Sequence, residues 1–320
     1  MADKLYKFSS SPHVKSPKTT KKIMLDVCIA LIPACIMGIV YFGYLALLTI
    51  LVSAIFSVGA EIVYRLLTKE KFKDIIRSLD NTSLVTGLII ALIIPPTIHL
   101  YIPALASIFA IIVVKMLFGG TGYNLVNPAA TGRIFAFISF TTIMNTFFDP
   151  SNGSVITGAT SLQSFLSDGS TLSSLDLLLG TGVAGCIGET CKIAILIGAI
   201  YLAIKGIIKI YLPIISVIVA GLVAVLLNGS FEVFLPAILS GGLIFGAFFM
   251  ATDYVTNPVT TLGNVVFFIG FGLLTSLLRH FSGYETASFA ILLMNILVPL
   301  IDKVTLSKPF GFVKQKKGAK

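Results

Sequence analysis

Ten apolar runs, each roughly 17 to 25 residues long, decide what this chain can become. About 20 residues of helix cross the hydrocarbon core of a bilayer. Backbone in lipid must also satisfy its own hydrogen bonds, which leaves helices or closed barrels. The runs lie at 23–43, 44–66, 82–99, 101–118, 127–147, 190–208, 211–228, 234–252, 263–279 and 285–301. With 56% hydrophobic and only 12% charged residues, the chain is far from the soluble range of about 25% charged. The expected fold class is therefore an all-α membrane protein of about ten transmembrane helices. The first run is too long for a signal-peptide core and no small-residue cleavage site follows it, so it reads as a span.

A polar insert divides five runs from five. The expected domains are a cytoplasmic N-terminal segment (1–22), a first five-helix repeat (23–147), an extracytoplasmic insert (148–189), a second five-helix repeat (190–301) and a cytoplasmic basic tail (302–320). Basic residues set the orientation. The N-terminal segment, the loop with Arg65, Lys69, Lys71, Lys73 and Arg77, the pair Lys205 and Lys209, and the tail from Lys303 onward all fall on one side of a ten-span chain. By the positive-inside rule that side is the cytoplasm, which places both termini there. The insert falls on the other face and has no Lys or Arg between Arg133 and Lys192. Arg279 and His280 are the exception, landing on the outer face. The net charge of +9 is explained by these blocks, and no nucleic-acid reader accompanies them. Four cysteines, Cys28, Cys35, Cys186 and Cys191, fit no C-x-x-C zinc spacing. No metal site is expected.

The two halves resemble each other. Gly87-Leu-Ile-Ile-Ala-Leu before Pro95-Pro96 resembles Gly242-Leu-Ile-Phe-Gly-Ala before Thr252-Asp253, and Gly122-Tyr123 answers Gly283-Tyr284. A repeat with an odd number of spans inserts upside down, which gives two inverted five-helix repeats. Pro95-Pro96 and Asn257-Pro258 should end their helices at membrane depth. Such breaks are tolerated only inside protein or beside a wet cavity, so the third and eighth runs are candidates for discontinuous helices meeting at a central site.

Charged groups in the membrane are costly and mark function. The candidates are Asp26, Glu61, Lys115, Arg133, Glu189, Asp253 and Glu285. Asp253 stands out as an ion-pathway candidate, since Thr252, Thr256 and Asn257 surround it with the oxygen donors that hard cations prefer. Asn124 and Asn127 could meet the mixed donor and acceptor edge of a flavin ring, or could simply cap and bridge helices, with Pro128 in the first turn. Side chains alone offer no catalytic constellation: there are three histidines, no P-loop and no dinucleotide fingerprint. Any redox chemistry would have to come from a bound cofactor.

Four motifs carry a resemblance. They are Gly119-Gly-Thr-Gly-Tyr-Asn124 through Asn127-Pro128 to Gly132-Arg133, the tetrad Thr157-Gly158-Ala159-Thr160, Gly188-Glu189-Thr190-Cys191, and Ala251-Thr252-Asp253 to Asn257-Pro258. In this order, over nearly the whole chain, they resemble the family of the Rnf complex D subunit and, more distantly, the B subunit of Na+-translocating NADH:quinone oxidoreductase. The resemblance implies FMN attached by a phosphoester bond to Thr160, with Gly158 and Ala159 leaving room for the phosphate. It also implies a noncovalent riboflavin near Asn124, Asn127 and Arg133. Thr157, Ser161, Cys191 and Tyr254 depart from the family's more frequent residues, the first two beside the attachment site.

The function so implied is a flavoprotein subunit of an ion-translocating electron transport complex in the cell membrane. It would pass electrons between ferredoxin-linked and NAD-linked partner subunits, coupled to Na+ or H+ export, with lipid and the other Rnf subunits as its partners. The alternatives are a passive channel or solute transporter of the same fold without a redox cofactor, and a structural anchor for redox proteins.

Overall fold

The computed structural model describes residues 19–148, 155–157, 173–282 and 286–306. Helix α1 (Thr20–Phe42) stops at Gly43, whose φ of 68° turns the chain directly into α2 (Tyr44–Leu67). A short α3 (Phe72–Ser78) leads into α4 (Thr82–Leu92). Helix α5 (Tyr101–Phe109) continues as a π-helical turn (Ala110–Met116), and α6 (Pro128–Ser139) is followed by α7 (Thr141–Met144). The strands β1 (Thr146–Phe148) and β2 (Val155–Thr157) pair antiparallel, with Thr146 opposite Thr157. After α8 (Ser174–Leu179) come α9 (Lys192–Ile204) and α10 (Tyr211–Asn228). Next are α11 (Phe234–Leu239), α12 (Leu243–Phe245) with a π-helical turn (Gly246–Met250), α13 (Thr261–Ser282) and α14 (Ala287–Thr305).

The chain is an all-helical, multi-pass membrane protein apart from its short strand pair. Five helices, α1, α2, α10, α13 and α14, are long and apolar enough to cross a membrane, and up to seven spans result if each of two bent helix pairs counts as one. Tyr101–Met116 and Lys192–Ile204 are apolar but shorter. Side chains such as Val40 and Leu226 stand exposed on the outer surface, as lipid-facing residues should.

Helix α1 packs on α4 and α9, α2 on α4 and α5, α10 on α13, and α14 on α6 and α13. Small residues allow the closest crossings. A Cβ at Gly198 would collide with the Ala30 carbonyl, and one at Gly272 with that of Ser216. Membrane helices pack tightly in this way because lipid supplies no hydrophobic drive between them. Along α2, the buried Thr49, Ser53, Ser57 and Glu61 recur every four residues and so share one face. The Ser53 hydroxyl on that face bonds the Gly87 carbonyl at 2.7 Å and Ser107 Oγ at 2.8 Å.

Two bent helix pairs adjoin the expected third and eighth runs, with breaks in places other than those expected. α3 and α4 meet at 68°, and Phe231–Leu239 meets Leu243–Met250 at 64°. Each bend contains a left-handed residue, Asn81 (φ 66°) and Gly241 (φ 62°). Pro95-Pro96 follows the α4 C-cap, Ile93, by two residues, as a helix-ending proline should; Asn257-Pro258 lies well beyond the end of its helix. α4 stops at Leu92, before Pro95-Pro96, and the second π-helical turn stops at Met250, before Asn257-Pro258. Contacts from distant segments close the first of these ends. Arg133 Nε donates to the Ile93 carbonyl at 2.8 Å, Ile187 N to Ile94 O at 3.2 Å and Gly188 N to Leu92 O at 2.7 Å. These donors satisfy carbonyls that a helix C-terminus leaves open.

The paired motifs of the two halves are accordingly out of register in one case. Gly242 lies in a bend, whereas Gly87 is buried inside α4, where an added Cβ would press on Ser53 and Ser57. Gly283-Tyr284 lies outside the described residues, as does Glu285.

The insert is not wholly in water either. Val183, Cys186, Ile187, Glu189, Thr190 and Cys191 are all buried. Gly188 sits so close to α4 that a Cβ there would lie 2.5 Å from Leu92 Cβ. Its C-terminal end is therefore a plug laid over the end of α4, whose open carbonyls need those amide donors.

Candidate functional site

Each bend is held by cations, in two different ways. At the first, Lys115 from the π-helical end of α5 is 3% exposed and reaches Glu61 Oε2 at 3.2 Å and Ser83 Oγ at 3.0 Å. It also donates to Thr82 Oγ1, and Ser83 donates to Glu61 in turn. All three ammonium protons thus have acceptors. Arg65 stands 3.8 Å from the same carboxylate and bonds Glu70 at 2.6 Å and Ser78 Oγ at 2.7 Å. The α4 N-terminus is closed by Asp80, which accepts from the Thr82 amide at 3.1 Å and its hydroxyl at 2.6 Å.

At the second bend the cations hold main chain. Lys192, buried at the start of α9, donates to the carbonyls of Glu189 and of Gly241, the latter at 2.8 Å. Arg279 donates to Ala237 O at 2.8 Å and Ser240 O at 3.4 Å. That contact accounts for the basic residue on the expected outer face: its charge is taken up inside the fold by helix-end carbonyls, where cations are favoured.

Between the halves lies a cavity with about 820 Å³ of empty space, open water at its mouth included. Its walls come from α1, α4, the end of α5, the start of α6, α9, and the second π-helical turn with the loop after it. Phe248, Phe249 and Tyr254 give aromatic surface, and Thr82, Thr86, Lys115, Asn124, Asn127 and Asp253 give polar groups. Apolar walls with a few convergent polar groups are the usual lining of a small-molecule site. An isoalloxazine-type ring here would meet the open amide of Asn124 and the aromatic wall, whereas Lys115, Thr82, Thr86 and Asn127 already donate within the fold.

Of the residues expected at the site, Asn124, Asn127 and Asp253 all line this one cavity. Asn124 is in irregular chain before α6 and makes no hydrogen bond among the described residues, so its amide is available. Asn127 is committed to structure. Its Oδ1 accepts from Ala130 N at 3.1 Å, capping α6, and its Nδ2 donates to Met250 O at 3.0 Å, fastening the end of the second π-helical turn. Asp253 accepts from Val255 N and Thr256 Oγ1, each at a marginal 3.4 Å, and has no ion-pair partner among the described residues. Arg133 is absent from the cavity wall. It is buried and bridges α4 to α14 through Ile93 O and Ser288 Oγ, the latter at 3.2 Å.

Asp26 accepts from Tyr201 at 2.7 Å and lies 3.7 Å from the half-exposed Lys205, an exposed arrangement worth little. Glu189 Oε1 accepts from Cys186 N at 3.0 Å, which folds the plug. Thr160, Gly158 and Ala159 lie outside the described residues. Sequence reasoning missed Lys192 as a structural cation and the pairing of Glu61 with Lys115. The four-residue spacing of Thr49, Ser53, Ser57 and Glu61 was the signal for the second.

Fold and cavity together define a multi-pass membrane protein with two bent helix pairs and a cavity between its halves. The chain belongs to the NQR2, RnfD, RnfE family, whose pattern it matches over residues 7–311. It is 40% identical over 316 residues to the D subunit of the Na(+)-translocating ferredoxin:NAD(+) oxidoreductase complex of Acetobacterium woodii, covering 98% of this chain and 97% of the relative. It is 36% identical to the D subunit of the proton-translocating ferredoxin:NAD(+) oxidoreductase complex of Clostridium ljungdahlii, covering 96% of each. A third relative, the D subunit of the ion-translocating oxidoreductase complex of Stutzerimonas stutzeri, is 33% identical over 91% of this chain and 92% of its own.

Proposed function

We propose that this chain is the membrane flavoprotein subunit of a redox-driven ion-translocating oxidoreductase, working with the other Rnf subunits. It passes electrons between ferredoxin-linked and NAD-linked partners and couples that transfer to export of Na+ or H+. What carries the reading is its end-to-end likeness to the D subunit of a ferredoxin:NAD+ oxidoreductase. The cavity between the halves, lined by aromatic rings, amides, Lys115 and Asp253, supports it.

In this reading FMN is attached through a phosphoester bond to Thr160, with Gly158 and Ala159 giving the phosphate room and amide donors. A noncovalent riboflavin occupies the cavity. When bound, the flavins supply the one- and two-electron chemistry that no side chain offers. Asn124 binds the ring edge, Asn127 holds the second π-helical turn against α6, and Arg133 fixes the end of α4. Asp253 serves the ion path. The chain lies in the cell membrane as ten helices in two inverted repeats of five, with the bent pairs third in each. The insert is outside and both termini are in the cytoplasm, so the cavity opens to the cytoplasm.

The test is a peptide mass spectrum of the denatured, purified chain. The fragment containing Thr157 and Thr160 should be heavier by FMN minus water. Thr160→Ala should abolish both the addition and the ultraviolet fluorescence of the band on a denaturing gel, while Thr157→Ser leaves both in place. An addition that survives Thr160→Ala would overturn the assignment, and a chain without flavin would favour a channel or transporter.

A further inference from the structure

Asn295 in α14 is 1% exposed, and neither its Oδ1 nor its Nδ2 has a hydrogen-bond partner among the described residues. Four residues later comes Pro299, inside the same helix. Proline has no N–H, so the main-chain carbonyl of Asn295 also loses its helical donor. One residue therefore concentrates an open amide and an open carbonyl inside an apolar spanning helix. In a membrane such groups are costly unless something meets them.

The surroundings favour a positive ligand. A Cβ at Gly246 would touch Ala287 and Ile291, at 3.4 and 3.6 Å, so the second π-helical turn starts level with the first turn of α14. The two segments keep the same direction, because a Cβ at Gly263 would meet both Pro258, in the loop after the turn, and Thr305 at the end of α14. One turn on from Gly246 is Met250, and one turn on from Ile291 is Asn295. The π-helical turn that packs against the start of α14 ends at Met250, its terminal carbonyls partially negative as at every helix C-terminus. The near cation, Arg133, is already spent on Ile93 and Ser288 one level away.

We propose that Asn295 is an interior site for a hydrated alkali cation, with Oδ1 and its own main-chain carbonyl as ligands and a bound water accepting from Nδ2. Neutral oxygen ligands of this kind replace the hydration shell of hard monovalent ions. The site is separate from Asp253. The proposal rests on the ion-translocating function of the chain and names a residue that reading does not use.

The experiment uses the assembled complex in sealed vesicles. It follows ferredoxin-driven NAD+ reduction and uptake of radiolabelled Na+ as Na+ is varied. Asn295→Leu should raise the Na+ concentration for half-maximal rate by about tenfold or more, with flavin content and the rate at saturating Na+ unchanged. Asn295→Asp should keep or lower that concentration, because a charged oxygen replaces a neutral one. If Asn295→Leu does not assemble, Asn295→Ser should assemble and give a smaller rise. An unchanged Na+ dependence in Leu or Ser and Asp variants, or a wild-type complex indifferent to Na+, would mean water alone sits there and would overturn the proposal. Failure of the wild-type complex to transfer electrons between ferredoxin and NAD+ would instead overturn the function on which it rests.

Discussion

The two bends of this protein solve one problem by opposite means. The first joins side chain to side chain: Lys115 meets Glu61, Ser83 and Thr82, and Arg65 stands behind the acid. The second joins cation to main chain, with Lys192 and Arg279 on the carbonyls of Gly241, Ala237 and Ser240. A main-chain carbonyl cannot change its protonation or leave, so these contacts of Lys192 and Arg279 are fixed. A buried carboxylate paired with an ammonium can rearrange when charge nearby changes. Only the first bend puts its cation, Lys115, on the cavity wall. The responsive bend is therefore the one beside the proposed cofactor.

This contrast can be broken by removing one cation from each bend. Lys115→Met strands Glu61 in the interior, and an uncompensated buried charge costs about 3–5 kcal/mol. Arg65, at 3.8 Å, should hold the loss near the lower limit. The purified chain should unfold at markedly lower denaturant, and adding Glu61→Gln to Lys115→Met should restore most of the stability. A double variant as unstable as the single one would show that Lys115 acts by packing. Arg279→Met should cost less, about 1.5–3 kcal/mol for charge-assisted hydrogen bonds to two carbonyls. Equal losses at the two bends would erase the distinction.

Much of this was legible in the sequence, and the reasons differ from element to element. Five of the apolar runs became helices long enough to cross a membrane and two became part of bent helix pairs, while 101–118, 127–147 and 190–208 hold shorter helices. Asn127 and Pro128 announced the start of α6, since Pro fits a first turn and Asn caps it. The bends could have been found at Asp80-Asn81-Thr82 and Ser240-Gly241-Gly242, which are turn-forming triplets; the prolines are the louder local signal and point elsewhere. The end of α4 was legible at Pro95-Pro96, but the long-range contacts that close it were not. They come from Arg133 and from the plug at Ile187 and Gly188, about 40 and 95 residues further along, and no local propensity encodes such a contact. Arg133, a buried arginine among flavin-like motifs, reads as a ligand, and in the fold its guanidinium meets a helix end and Ser288, contacts equally beyond local propensity.

The central claim is that the cavity between the halves holds a noncovalent flavin beside the responsive bend. Its most direct test is the flavin released on acid extraction from purified Thr160→Ala complex, in which no flavin remains on that residue. The account predicts close to an equivalent of extractable flavin per chain, falling several-fold when Asn124→Leu removes the free amide from the cavity wall. A Thr160→Ala complex that assembles with its partner subunits yet yields no extractable flavin would contradict it.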